Sequence, residues 1–223
     1  MTMQNTSSAV MQRRQEPINS LDDFPTPPWA TRALCEALQI TYDGFPPGNP
    51  PQAPSTFHLT VREPAANRGH MARALGEYFH HVEASDIFDY GAGYPVMDYL
   101  KGPLQGRVDW TITNPPFRLA ERFIDRALDT SRCGVAMLVR TAFLEGIGRH
   151  SRLFSQSPPS AVLQFTERVV MHKGRLSQTG STATAYCWLV WSIRVPPLRT
   201  QLRWIAPCRK RLERASDYIG EAA

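Results

Sequence analysis

At 223 residues, with 25 Lys and Arg against 20 Asp and Glu, the chain has a formal charge of +5, is long enough for one domain with a sizeable core and is short for two. The four cysteines, Cys35, Cys133, Cys187 and Cys208, share no C-x-x-C or Cys/His spacing, and the adjacent His80 and His81 would point to opposite faces of a strand, so no disulfide framework and no metal site is expected. No signal-peptide core opens the sequence and its longest apolar stretch, residues 183–193, is far shorter than the roughly 20 residues that cross a bilayer, which predicts a soluble cytoplasmic protein with no membrane partner.

Residues 1–20 are polar and aperiodic and are read as a disordered arm, followed by a domain over 21–197 and a basic carboxyl-terminal segment over 198–223. In the segment from Asp22 to Trp29, Thr26 is placed to cap a helix with Pro27 at its first position, and Trp29, Ala33, Leu34, Ala37 and Leu38 then fall on one helical face. Seven glycines and prolines between Tyr42 and Thr56 mark a surface loop. Phe57, Leu59 and Val61 alternate as a first buried strand. The turn Glu63-Pro64-Ala65-Ala66-Asn67-Arg68-Gly69 and a helix marked by Met71, Leu75 and Phe79 follow it, an order that Rossmann-type folds use for cofactors. A second strand over 82–86 ends in Asp86. This acid lies about 20 residues beyond the turn, where a carboxylate can accept hydrogen bonds from a ribose; Glu83 is the fallback.

The third strand carries the most informative stretch, Asp109-Trp-Thr-Ile-Thr-Asn114-Pro115-Pro116-Phe117. A buried β-branched run stops at an amide, two prolines and an aromatic, at the strand end where open α/β sheets place their chemistry. The prolines fix two torsions and leave rigid carbonyl acceptors beside the Asn114 oxygen, a combination suited to holding a substrate amino group, with Phe117 available to stack on a planar base. Leu119, Phe123, Ala127 and Leu128 recur at helical spacing, and Gly134–Val139 is a continuous apolar run of the kind found in a central parallel strand. A short helix over 149–154 and strands over 161–170 and 182–193 complete the pattern. Between those strands, Arg168, Lys173 and Arg175 border a polar, glycine-containing loop. The last segment gathers Arg209, Lys210 and Arg211 with other arginines around Trp204, a footprint for phosphate or a charged surface helix.

Asn114-Pro115-Pro116-Phe117 resembles the catalytic motif of the S-adenosylmethionine-dependent amino-methyltransferases that methylate adenine in DNA. The resemblance extends over roughly Phe24 to Trp191. Phe24-Pro25-Thr26-Pro27 is similar to the family's aromatic-x-Thr-Pro cofactor segment, which implies cofactor contacts at Phe24, Thr26 and Pro27. The turn is similar to the family's acid-Pro-x-x-Gly-x-Gly signature at Glu63, Pro64, Ala65 and Gly69, with Asn67 where glycine is usual. Asp98-Tyr99-Leu100 is similar to the Asp-aromatic-Leu segment that contacts the cofactor's adenine, and Asp86 takes the ribose position.

The resemblance implies an α/β, Rossmann-like class I methyltransferase: a mixed seven-stranded sheet with the last strand antiparallel and helices on both faces. Its motif order is similar to the gamma arrangement and its small size to phage-encoded adenine methyltransferases; the resemblance also implies a restriction-modification setting, with the presence of a cognate restriction enzyme left open. The implied catalytic residues are Asn114, Pro115, Pro116 and Phe117, the cofactor S-adenosylmethionine and the partner double-stranded DNA, contacted through Arg168, Lys173, Arg175, Arg209, Lys210 and Arg211. An adenine in RNA, a glutamine amide in a protein and a non-catalytic nucleic-acid-binding module remain alternatives, and the oligomeric state is open.

Overall fold

The computed structural model describes residues 21–42, 58–103, 106–194 and 198–219. The expected arm over 1–20, nearly all of the expected loop over 42–56, and Phe57 lie outside the described residues. Seven strands form one sheet in the order β2-β1-β3-β4-β6-β5-β7. They are β1 (Thr60–Glu63), β2 (His81–Ala84), β3 (Val108–Thr113), β4 (Ser131–Arg140), β5 (Ala161–Phe165), β6 (Tyr186–Ser192) and β7 (Gln201–Ile205). β1 pairs parallel with β2 and β3, and β3 with β4. β6 is antiparallel to both β4 and β5, while β7 is parallel to β5.

This is the expected mixed seven-stranded α/β sheet, and its antiparallel member is the strand read at 182–193. The seventh strand is the difference, because β7 comes from the basic segment beginning at 198. Leu202 and Trp204 alternate there with Gln201, Arg203 and Ile205, a period of two that the arginine content obscured. β7 pairs with β5 residue for residue, Ala161 with Gln201 through Phe165 with Ile205.

The apolar run of β4 reflects burial on both faces. Ala136 and Leu138 join one core layer, under α1 (Pro28–Tyr42) and α2 (His70–Leu75), with Trp29, Leu34, Met71 and Leu75. Val135, Met137 and Val139 join the other, under α3 (Ala120–Thr130), with Phe123, Ile124 and Ala127. Gly134 is obligatory in β4 because the Trp110 indole crosses it: a Cβ there would lie 2.5 Å from that ring and 2.7 Å from the Trp191 carbonyl oxygen.

α1 begins one residue later than expected, with Pro28 at its first position and the Pro27 carbonyl accepting the Ala30 N–H at 2.9 Å. The segment after β4 forms short helical turns, including α4 (Ile147–Arg149). After β7, α5 (Arg209–Leu212) and the turn behind it pack against α1, where the buried Arg32 guanidinium binds Glu77, Asp217 and the Leu212 carbonyl. Among the described residues no helix is long and apolar enough to cross a membrane.

Candidate active site

Because β1, β2 and β3 run parallel, they end at one edge of the sheet, at Glu63, Ala84 and Thr113. The loops leaving them line a cleft of about 680 Å3, its open mouth included. The turn after β1 is anchored at its base. The Ala65 N–H and the Thr113 hydroxyl both donate to Glu63 Oε1, at 3.1 Å and 2.5 Å, so the first residue of the turn is tied to the last residue of β3. Glu63 is 1% exposed, and burial pushes its carboxyl up to about 8 although both donors pull the other way.

Asn67 occupies the expected glycine position with φ 51°, and Gly69 follows at φ 83°. Asn is among the few residues with a side chain that enter the left-handed region readily. It also does what glycine cannot: its side-chain amide donates to Asp23 Oδ1 at 2.7 Å, and its Oδ1 accepts the Arg68 N–H at 2.7 Å. The Arg68 guanidinium pairs with the same Asp23 at 3.0 Å. The Asn67 N–H donates to Asp86 Oδ2 at 2.8 Å and the Phe88 N–H to Asp86 Oδ1 at 3.0 Å, so the expected ribose acid first supports the turn. Each of its oxygens keeps capacity for a further bond. Burial raises the Asp86 carboxyl above the ordinary aspartate value despite those amides.

The segment before α1 laces the site together. Asp22, itself at φ 53°, accepts the Phe117 N–H at 2.5 Å, and the Asp23 carbonyl accepts the Gly174 N–H at 2.8 Å. The Phe24 carbonyl accepts from Asn114 Nδ2 at 3.1 Å, and its ring lies 5.7 Å from that of Phe117. The Phe24 carbonyl needs a donor, so the Asn114 amide is oriented with its nitrogen there. Its oxygen, Oδ1, is then buried without a hydrogen-bond partner, on a residue that lines the cleft.

Most of the expected site residues meet in this cleft. From the cofactor segment and turn these are Phe24, Thr26, Glu63, Pro64, Ala65 and Asn67; from the later loops, Asp86, Asp98, Tyr99, Asn114 and Pro116. Tyr99 is also a core residue, 2% exposed with its ring 5.0 Å from Phe123, so it forms a wall of the cleft more than a free ring. Asp98 accepts the Leu100 N–H at 2.9 Å.

Pro27, Gly69, Pro115 and Phe117 are not in the cleft lining. Pro27 precedes α1, Gly69 is a backbone position pressed against the Tyr94 ring, and Pro115 is buried behind the corner. Phe117 borders a neighbouring cavity with Val139, Arg140 and Phe143, and the Arg140 guanidinium lies 3.8 Å over its ring.

Sequence reasoning missed Asp22, Asp23 and Arg140. Arg140 had a signal, a charge at the carboxyl end of a buried strand. The two aspartates had only their proximity to the Thr-Pro segment.

The expected nucleic-acid contacts divide. Arg168, Lys173 and Arg175 are exposed around the β5–β6 connection, and Lys210 is exposed on α5. Arg209 and Arg211 also pair with the chain's own carboxylates, Glu213 at 2.9 Å and Glu36 at 2.6 Å, which the helical spacing and the packing of α5 on α1 bring within reach.

No family model matches the sequence, and no curated protein matches it. Solved structures do resemble the fold. One is the modification subunit of an inferred type I restriction enzyme from Vibrio vulnificus, with a TM-score of 0.54 and 16% identity, covering 88% of this chain and 51% of that one. This chain therefore spans about half the length of that subunit. Another is an inferred RNA methyltransferase from Pyrococcus horikoshii, with a TM-score of 0.55 and 16% identity, covering 80% of this chain and 91% of that one. At such identities the likeness speaks to architecture, and with the strand order above it establishes a Rossmann-like α/β fold with a mixed seven-stranded sheet, the fold these structures share.

Proposed function

We propose that the chain transfers a methyl group from S-adenosylmethionine to the exocyclic amino group of adenine in DNA. The observation that carries this reading is Asn114 Oδ1, a buried acceptor without a partner at the carboxyl end of β3. Leaving such an atom unpaired costs about 1–3 kcal/mol, which is recovered when a ligand donates to it.

On this reading Phe24, Thr26, Glu63, Pro64, Ala65, Asn67, Asp86, Asp98 and Tyr99 hold the cofactor, with Pro27 and Gly69 shaping the backbone behind them, and the cofactor supplies an electrophilic methyl on its sulfonium. The left-handed turn of Asn67 and Gly69 and the Asp86 and Asp98 carboxyls that line the same cleft fit such a group. Asn114 Oδ1 and the Pro115 carbonyl accept the two amino hydrogens of the base, drawing the nitrogen lone pair out of ring conjugation. Positioning supplies the remainder. A duplex hides this amino group's reacting face, so the base leaves the stack at a cost of a few kcal/mol, offset by stacking and phosphate contacts. The exposed Arg168, Lys173, Arg175 and Lys210 are the candidates for those contacts, with Arg209 and Arg211 available only if they leave their carboxylates.

One of the similar structures belongs to a restriction enzyme and the other is named for RNA, so the test covers both nucleic acids. Labelled methyl from S-adenosylmethionine is offered to unmethylated duplex DNA, RNA and a mixed protein pool. Label is expected in DNA adenine, and Asn114→Ala is expected to lower the rate by about 100-fold or more. Label in RNA or protein alone overturns the substrate. No label in any pool, with no calorimetric cofactor binding, favours a non-catalytic nucleic-acid-binding module.

A further inference from the structure

Phe117 is where the proposed reaction needs an open aromatic face, and the structure covers that face. The Arg140 guanidinium lies 3.8 Å over the ring, about the separation of stacked planes, while Phe24 packs at a 40° tilt, 5.7 Å away between centroids. A base stacking on Phe117 from the Arg140 side therefore meets the guanidinium first. Arg140 is not held there by charge: among the described residues it has no carboxylate partner, and its Nε is buried without a hydrogen bond. Arg149, stacked similarly 3.9 Å over Phe143, also has a buried Nε that makes no hydrogen bond, but it is tied by its ion pair to Glu121 and by donation to the carbonyls of Phe143 and Glu145, contacts that Arg140 lacks. Beside Arg140 is a cavity of about 480 Å3, open at its mouth and lined in part by Ala142, Phe143 and Arg149, with room for the guanidinium to move off the ring face.

Resting on the proposed function, we propose that Arg140 reads a ring nitrogen beside the substrate's amino group, and so determines that the accepted base is a purine of the adenine type. In adenine the amino group is flanked on both sides by ring acceptors, N1 and N7. In cytosine it is flanked by one, and in a glutamine amide by no ring acceptor. With the amino group held at Asn114 and the ring displacing Arg140 from Phe117, the guanidinium moves to the edge of the base, where its planar fork of donors meets an acceptor. The Nε left without a partner in the free enzyme gives that movement a direction.

The test uses duplex DNA in which every adenine is replaced by 7-deazaadenine or by 1-deazaadenine, each removing one ring acceptor while keeping the amino group. Wild-type kcat/KM is expected to fall roughly 5–150-fold on one of the two analogues, the range for a hydrogen bond that discriminates bases. Arg140→Ala is expected to lose a similar factor on ordinary DNA and to treat that analogue and adenine alike; Arg140→Lys, which keeps a cationic donor group without the planar fork, is expected to fall between. Two results overturn the inference while leaving the function standing: Arg140→Ala discriminating between adenine and both analogues as the wild type does, or slowing all three substrates equally. A wild-type protein that methylates no adenine substrate overturns the function itself and this inference with it.

Discussion

A carboxyl group buried as deeply as that of Glu63 holds its proton near neutrality, and its folded value of about 8 lies well above the ordinary 4.5. Between those values the folded chain keeps a proton that the unfolded chain releases. Stability from this group is therefore full below about pH 4.5 and declines as pH rises through about 8. Glu63→Gln removes the titration while keeping an acceptor for the Ala65 N–H and the Thr113 hydroxyl. It is expected to melt higher than wild type at about pH 8.5 and close to it at about pH 5, by about 2–4 °C for each kcal/mol relieved. A gap of the same size at both values in thermal melts would count against the buried titration. Asn67 shows how much of a single residue could be anticipated. Its tolerance of a left-handed turn follows from its chemistry alone, whereas its bond to Asp23, 44 residues away, belongs to the folded chain.

For whole elements, hydrophobic pattern was informative where packing is two-sided and charge was misleading at the sheet edge. β4 reads as a buried strand because both of its faces are covered, and the demand for a glycine within it comes from one neighbour, Trp110. Gly134→Ala is expected to cost roughly 1–3 kcal/mol, since neither the indole nor the Trp191 carbonyl can withdraw without disturbing the sheet. Urea denaturation with an unchanged m-value and a lower midpoint would report it. β7 is the converse case. Its alternation is short, it lies beside several arginines, and Leu202 and Trp204 are exposed, so composition suggested a charged surface where the backbone completes the sheet.

The molecule as a whole is closed by Arg32. Its guanidinium reaches Glu77 at 2.8 Å, Asp217 at 2.7 Å and the Leu212 carbonyl at 2.8 Å, joining α1 to the turn after α2 and to α5 and the turn behind it. Burial alone would raise the Asp217 carboxyl, but the bonds from Arg32 hold it below the ordinary aspartate range. Its contribution is present above the ordinary value and is lost as pH falls through the depressed one. Arg32→Met strands a carboxylate whose side chain is 5% exposed, and a loss of about 3–5 kcal/mol is expected by chemical denaturation at neutral pH. A loss below about 1 kcal/mol would mean that the carboxyl-terminal segment docks by apolar contact alone. Sequence by itself determined the α/β class, the strand–turn–helix at Glu63–Gly69 and the Asn-Pro-Pro-Phe corner, because each rests on local periodicity or on residues adjacent in the chain. Only the tertiary structure decided that Asp22 and Phe24 hold the corner, that Arg140 covers Phe117, that two of the expected basic contacts pair internally and that the basic tail supplies a strand. All of these depend on groups far apart in sequence, whose meeting is set by how the layers pack and which carboxylates they bring within reach.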